Sequence, residues 1–155
     1  MHVRKYGIAL MALVALSVLV PLTSAQPRLA TVDYIQIIDA YYADLDGDGY
    51  EDDIKLLVQF SLGTTEPSRI DINIWIELPS GIKYSMRVSV YRAPSDSILN
   101  IDCFDMATES GWYTVTMLAS IMGTGNGKVY LTDNIVFDPP TGTGPGLPPS
   151  VDAYF

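Results

Sequence analysis

Histidine and cysteine are almost absent from this chain of 155 residues. The one histidine, His2, lies in an N-terminal segment that we expect to be removed, and the one cysteine is Cys103. A mature chain without histidine cannot build a Ser-His-Asp triad, a Cys-His dyad or an ordinary zinc site. A single cysteine excludes an internal disulfide. Because Cys103 lies in an alternating apolar run, we expect its thiol to be buried.

The N-terminal segment that we expect to be removed has the three parts of a secretory signal peptide. Arg4 and Lys5 form a basic start, an apolar run extends from Ile8 to Val20, and Thr23-Ser24-Ala25 offers a cleavage site with small residues. The apolar run is shorter than the roughly 20 residues that a membrane-spanning helix needs. We therefore predict a signal peptide at residues 1–25 and a secreted or cell-surface protein with no membrane attachment after cleavage; a retained anchor is the alternative.

Basic residues are also scarce after residue 25. Seven of the nine Lys and Arg residues and all 18 acidic residues lie beyond it, so the mature chain has a net charge of −11. Nucleic-acid binding depends on Lys and Arg at phosphates, so we do not expect a nucleic-acid partner. An acidic surface favours solubility and divalent cations.

The densest charge is in the sequence Asp-Leu-Asp-Gly-Asp-Gly-Tyr-Glu-Asp-Asp at residues 44–53, which we name the acidic loop. Ionised carboxylates a few ångströms apart repel by about 1 kcal/mol per pair even in water. A hard dication relieves this repulsion, and Ca²⁺ accepts about 6–8 oxygen ligands from such a loop. The acidic loop therefore predicts a calcium site, with a solvated turn that binds no metal as the alternative.

The spacing of the acidic loop assigns its expected ligands. Its carboxylates alternate as in a calcium loop, and Gly49 stands at the sixth position, where the chain must turn sharply. The twelfth position holds Lys55 instead of glutamate, and the flanking runs are typical of strands, so this is not an EF-hand. The loop resembles the Asp-x-Asp-Gly-Asp-Gly-x-x-Asp loops between strands of secreted proteins. The expected ligands are Asp44, Asp46, Asp48, the carbonyl of Tyr50, Asp52 and Asp53.

Apolar and polar residues alternate in most of the mature chain, as is typical of half-buried strands. No helical period of 3.6 residues is evident. Strands are predicted at residues 31–42, 54–62, 70–78, 82–90, 98–104, 113–121 and 129–137. About seven antiparallel strands with one apolar face each predict an all-β fold of two packed sheets.

A local motif makes the fold prediction more specific. The sequence Glu-Ser-Gly-Trp-Tyr-Thr-Val at residues 109–115 resembles the tyrosine corner of immunoglobulin-like sandwiches, with Tyr113 as the corner tyrosine. Trp75 does not complete the match, because it falls on the polar face of its strand. The resemblance implies an immunoglobulin-like antiparallel sandwich, which we place at residues 26–138.

Proline and glycine dominate the start of the C-terminal tail, residues 139–155. Five prolines and three glycines lie between Asp138 and Ser150, and such a segment cannot form a central strand. The tail ends in the apolar sequence Val-Asp-Ala-Tyr-Phe. We expect this end to contact a neighbouring protein, with packing on its own domain or disorder as the alternative.

The acidic loop, the absent disulfide and the Pro/Gly-rich tail together resemble small exported proteins of thermophilic archaea. Some of these proteins assemble into extracellular filaments or tubes of the cannula type. The resemblance implies a structural protein, not an enzyme, that associates with itself or with another surface protein. We expect assembly by strand exchange, in which Gln26–Ala30 or the tail ending at Phe155 adds to a neighbour's sheet edge.

A soluble extracellular binding module with a purely structural calcium site is the competing prediction. Five aromatic residues outside the expected core rows could form a platform for a glycan, and these are Tyr41, Tyr42, Trp75, Tyr91 and Trp112. A glycoside hydrolase with paired carboxylates is the third reading. We favour it least, because the acids concentrate in one loop and the sequence indicates no cleft.

Overall fold

The computed structural model describes residues 34–63, 67–123, 129–137 and 147–155. The predicted signal peptide and Gln26–Ala30 lie outside these residues. The described residues contain no helix, and in particular none long and apolar enough to span a membrane. The described strands are β1 (Tyr34–Ala43), β2 (Asp53–Ser61), β3 (Arg69–Glu77), β4 (Lys83–Tyr91), β5 (Ser97–Phe104), β6 (Tyr113–Met122), β7 (Val129–Phe137) and β8 (Ser150–Tyr154).

The strands form two antiparallel sheets. Sheet A has the order β1-β2-β5-β8, and sheet B has the order β4-β3-β6-β7. Six of the strands follow the constant-type immunoglobulin arrangement, with β1, β2 and β5 in one sheet and β3, β6 and β7 in the other, and β4 extends sheet B beside β3. The all-β antiparallel sandwich is confirmed. The eighth strand, β8, occupies the edge position that the fourth strand takes in constant-type domains.

Alternating apolar side chains from both sheets form one hydrophobic core. In β2, Ile54, Leu56, Val58 and Phe60 are fully buried, and β3 and β6 contribute equivalent rows to the core. Full burial of each such side chain stabilises the fold by about 1.5–3 kcal/mol. The seven predicted strands agree with β1 to β7 within a few residues at each end, because a period of two forces one face of each strand inward.

The end of the predicted tail is part of sheet A. In β8, Tyr154 lies opposite Asn100 of β5, and Val151 lies opposite Cys103. The ring of Phe155 contacts the ring of Phe60 edge-on, with 5.7 Å between the ring centroids. The apolar sequence after the prolines therefore pairs with this domain's own sheet edge.

The side chain of Lys55 is buried although it lies on the outer face of β2. Lys55 alternates with the core residues Ile54 and Leu56, yet only 7% of it is exposed because β8 covers it. Its ammonium group donates hydrogen bonds to Asp102 at 2.5 Å and to the Tyr154 hydroxyl at 2.7 Å, and lies 4.7 Å from the centre of the Tyr154 ring. Burial disfavours the charge of Lys55, but these hydrogen bonds outweigh burial and raise the pKa of the lysine.

The tyrosine corner predicted from the sequence is present. Tyr113 is fully buried, and its hydroxyl donates to the carbonyl of Glu109 and accepts from the N–H of Glu109, both at 2.8 Å. Gly111, between them, has a φ of +134°, and a Cβ there would lie 2.8 Å from the ring of Pro79. The Tyr113 ring also stacks on Phe137. One side chain thus fixes the turn into β6 and packs the end of the core.

Cys103 is buried, as the sequence predicts. Its side chain has no exposed surface, and its thiol lies 3.8 Å from the sulfur of Met86. Burial, with a smaller effect from Asp102 and Asp53, raises the pKa of the thiol to about 12. The thiol is therefore neutral at physiological pH and behaves as an apolar core group.

We expect Tyr113→Phe to lower the free energy of unfolding by about 1–3 kcal/mol, because both backbone groups of Glu109 lose their partner. Urea denaturation measures this change. The control is Tyr41→Phe, which removes the same hydroxyl from a more exposed ring. Equal stability of the two variants would show that the corner hydrogen bonds contribute nothing to the fold.

Candidate metal centre

The acidic loop joins β1 to β2 at one end of sheet A. The carboxylates of Asp44, Asp46 and Asp48 are exposed, and one oxygen from each lies within 4.8 Å of the others. Gly47 and Gly49 have φ values of +80° and +95°, which residues with a Cβ rarely adopt. The positive φ angles of these two glycines turn the chain so that the alternating carboxylates of the loop converge. We name Asp44, Asp46 and Asp48 the loop group.

Hydrogen bonds from the backbone orient the loop group. Asp44 accepts from the N–H groups of Gly47 and Gly49, at 2.7 and 3.1 Å. Asp46 accepts from the N–H of Asp48, and Asp48 accepts from the N–H of Tyr50. An ionised carboxylate has about four lone-pair sites, so every member keeps sites for a cation. The loop group can hold a metal ion.

Asp53 orients the loop from within the fold. Its fully buried carboxylate accepts from the N–H groups of Leu45 at 2.7 Å, Asp46 at 3.2 Å and Asp105 at 2.8 Å. These bonds connect the start of the loop, the start of β2 and the end of β5. Asp53 belongs to neither group of converging carboxylates among the described residues. That Asp53 and the Tyr50 carbonyl bind the ion directly stays a prediction.

A second set of carboxylates lies deeper, and we name it the inner group: Asp48, Asp52 and Asp105. One oxygen from each again lies within 4.8 Å of the others. Only 1% of Asp52 and 6% of Asp105 are exposed. Asp52 Oδ2 and Asp105 Oδ1 are buried and have no hydrogen-bond partner among the described residues. Most buried polar groups have a partner, so these two oxygens need an explanation.

Asp105 is the member of the inner group that the sequence did not reveal. It follows β5, which pairs with β2 so that Cys103 lies opposite Ile54, and this register brings the end of β5 beside the acidic loop. Asp105 also has a positive φ of 58°, which aspartate tolerates better than most residues. The sequence shows only an aspartate directly after a predicted strand. The pairing of β5 with β2, which brings Asp105 to the site, is not encoded locally.

Burial and mutual repulsion disfavour the charged forms of the inner group. Burial, followed by repulsion from Asp48, Asp105 and Asp53, raises the pKa of Asp52. Burial, followed by repulsion from Asp53, Asp46 and Asp48, raises the pKa of Asp105. Burial and repulsion raise these pKa values in the absence of a cation. A bound cation would favour the charged carboxylates and lower both pKa values.

Comparison of the chain with protein-family models, with curated protein sequences and with solved structures gives no match.

We expect Asp52→Asn to raise the free energy of unfolding in the presence of chelator by about 1 kcal/mol. The substitution removes a buried charge that Asp48, Asp53 and Asp105 repel, while it keeps the side-chain volume. Urea denaturation at pH 7 with chelator measures the change. The exposed Asp39→Asn, which removes one charge outside both groups, is the control. A loss of stability in Asp52→Asn would contradict the repulsion argued above.

Proposed function

We propose that this protein is an exported, calcium-stabilised β-sandwich that acts as a structural subunit at the cell surface. The observation that supports this proposal best is the convergence of the loop group at the end of a two-sheet fold. The predicted signal peptide supports export. The resemblance to exported archaeal filament proteins supports the structural role. That the protein is not an enzyme remains a prediction.

The donor set of the acidic loop favours calcium over other hard cations. The loop group offers three carboxylates, with one oxygen of each within 4.8 Å of the others, and Ca²⁺ accepts several carboxylates in flexible geometry. Mg²⁺ requires near-ideal octahedral geometry, keeps several waters and is usually bound by only one or two carboxylates. Zinc prefers nitrogen and sulfur ligands, which this loop does not offer.

A calcium ion bound in the acidic loop would stabilise the whole sandwich, because the loop is connected to both β2 and β5. The loop is tied through Asp53 to the first residues of β2 and to the residue after β5. A ligand present at about 100 times its dissociation constant adds about 2.7 kcal/mol to the free energy of unfolding. In a domain with no internal disulfide, this contribution has the size that a disulfide would otherwise provide.

The position of β8 supports assembly by strand exchange. β8 is a five-residue edge strand that pairs only with β5 among the described strands. The Pro/Gly-rich segment before it carries the chain between β7 and β8. A second copy could donate its own β8 to the same edge and reproduce the contacts of Tyr154 with Lys55 and of Phe155 with Phe60. Such an exchange needs no new contacts, because the exchanged strand makes the same contacts between chains that it makes within one chain. Gln26–Ala30 is the alternative donor.

The binding-module alternative depends on five aromatic residues, of which Tyr42 and Trp75 are only half-exposed, and the fold separates them. Tyr41 and Tyr42 lie on β1 of sheet A, whereas Trp75 and Tyr91 lie on β3 and β4 of sheet B. Trp112 is exposed in the turn before β6. Tyr91 is also engaged by Arg69, whose guanidinium lies 5.5 Å from the ring centre. Aromatics distributed over two sheets do not form one platform for a glycan, so we favour the structural role.

We expect calcium to produce filaments or tubes and chelator to reduce them. Light scattering and negative-stain microscopy of the purified protein in calcium, in an equal concentration of magnesium and in chelator measure this effect. Thermal unfolding in the same buffers is expected to show the highest midpoint with calcium. A calcium-stabilised monomer would favour the binding module. The absence of any calcium effect on size or melting would refute the proposal.

Strand exchange through β8 can be trapped with one new cysteine. Val151 lies directly opposite Cys103, and facing residues on antiparallel strands have Cα atoms about 4.5–5.5 Å apart, which suits a disulfide. We expect oxidised Val151→Cys to give a ladder of linked chains on a non-reducing gel after assembly. Val151→Cys combined with Cys103→Ser is the control and should give no ladder. Assemblies whose chains carry only internal disulfides would exclude β8 as the exchanged strand and leave Gln26–Ala30.

A further inference from the structure

We propose that the acidic end of the sandwich binds two calcium ions, and that Asp48, Asp52 and Asp105 form a second, inner site. Asp48 is shared between this site and the loop group. The inference rests on the proposed calcium-dependent function and adds to it a second ion with a different structural role. The loop ion would organise one loop, whereas the inner ion would connect that loop to the residue that follows β5.

The first support for the inner site is the two unpartnered oxygens. Asp52 Oδ2 and Asp105 Oδ1 belong to side chains that are more than nine-tenths buried, and neither oxygen accepts a hydrogen bond among the described residues. One carboxylate oxygen from each of these two side chains lies within 4.8 Å of an oxygen of Asp48. Removal of a carboxylate from water without a partner is costly. A cation bound between the three side chains would offset this cost for Asp52 and Asp105 at once.

The second support is the set of backbone hydrogen bonds that hold Asp52 and Asp105 in place. The N–H of Asp105 donates to Asp53 Oδ1 at 2.8 Å, and the N–H of Ala107 donates to the carbonyl of Asp52 at 2.7 Å. These two bonds attach the segment after β5 to the start of β2. The left-handed conformation of Asp105 follows directly after the last residue of β5. The carboxylates are thus held in place by the backbone on both sides of the site.

Charge balance favours two ions over one. Six carboxylates meet at this end of the molecule, from Asp44, Asp46, Asp48, Asp52, Asp53 and Asp105. Asp53 is neutralised in part by its three backbone donors. One dication in the loop group would leave Asp52 and Asp105 close together and without a counter-charge. A second dication would remove that repulsion, and the shared Asp48 can serve both ions because a carboxylate has two oxygens and about four lone-pair sites.

The chemistry of the inner group limits the ligand to a hard cation. The three side chains offer only carboxylate oxygens, one from each within 4.8 Å of the others, and three carboxylates at one site suit Ca²⁺ better than Mg²⁺, which is usually bound by one or two. The connection that follows β5 contains Glu109, whose backbone binds the corner tyrosine. An ion at Asp105 would therefore fix both ends of the β5–β6 connection, together with Tyr113.

The experiment counts bound calcium per chain. The purified full chain is equilibrated by dialysis against about 1 mM calcium, in the range where extracellular calcium modules bind, and calcium and protein are measured by elemental analysis. We expect two ions per chain in the unmodified protein. Because the count is expressed per chain, it applies equally to monomers and to assemblies.

Matched variants assign each ion. Asp105→Asn should reduce the count to one, and asparagine tolerates the left-handed conformation at this position. Asp46→Asn should also reduce the count to one, through the loop group. Asp96→Asn is the control, because Asp96 is likewise in the left-handed conformation and is exposed, but lies outside both groups. It should keep two ions. Asp52→Asn provides a second test of the inner site if Asp105→Asn does not fold.

The possible results separate the inner site from the proposed function. One ion in the unmodified chain, lost in Asp46→Asn and kept in Asp105→Asn, would refute the inner site and leave the calcium-stabilised fold intact. Two ions in both the unmodified chain and folded Asp105→Asn would also refute it, because the second ion would then bind elsewhere. No bound calcium at all would refute both proposals.

Discussion

The mutual repulsion of carboxylates at one end of the sandwich is the constraint on which the rest of this molecule depends. Six aspartates from the acidic loop, the start of β2 and the residue after β5 are held within one small region. The fold places them there through strand pairing and through the hydrogen bonds of Asp53, and it buries three of them, Asp52, Asp53 and Asp105. A sequence that concentrates like charge in this way loses stability unless something of opposite charge is present.

A second constraint on the β-sandwich is the edge of sheet A, which β8 covers. An immunoglobulin-like sheet that lacks its usual fourth strand leaves β5 with unpaired backbone groups. β8 covers that edge, and Tyr154 completes the surroundings of the buried Lys55. The acidic end and the covered edge share β5, since Asp102 binds Lys55 near β8 and Asp105 lies beside the acidic loop. Strand β5 is therefore the element that connects the carboxylates able to hold a metal ion with the paired sheet edge.

Much of this architecture was predictable from the sequence, and the reasons are physical. The period of two in β2, β3 and β6 requires a buried face, and the spacing around Tyr113 identifies a corner that depends on residues only four apart. The exposed loop group is local as well, because Asp44, Asp46 and Asp48 lie within five residues. Asp105, the burial of Lys55 and the pairing of β8 were not predictable. Each depends on a register between strands about 50 or more residues apart, which no local pattern encodes.

The strand exchange proposed above depends on concentration, because a short segment joins β8 to its own sheet. A strand joined in this way experiences an effective concentration of about millimolar at its binding edge. In dilute solution the chain's own β8 therefore occupies the edge, and each sandwich remains closed. In the proposed exchange, a neighbour's strand competes only where chains are crowded to a comparable level. The same five residues would then keep chains separate in dilute solution and join them where they accumulate.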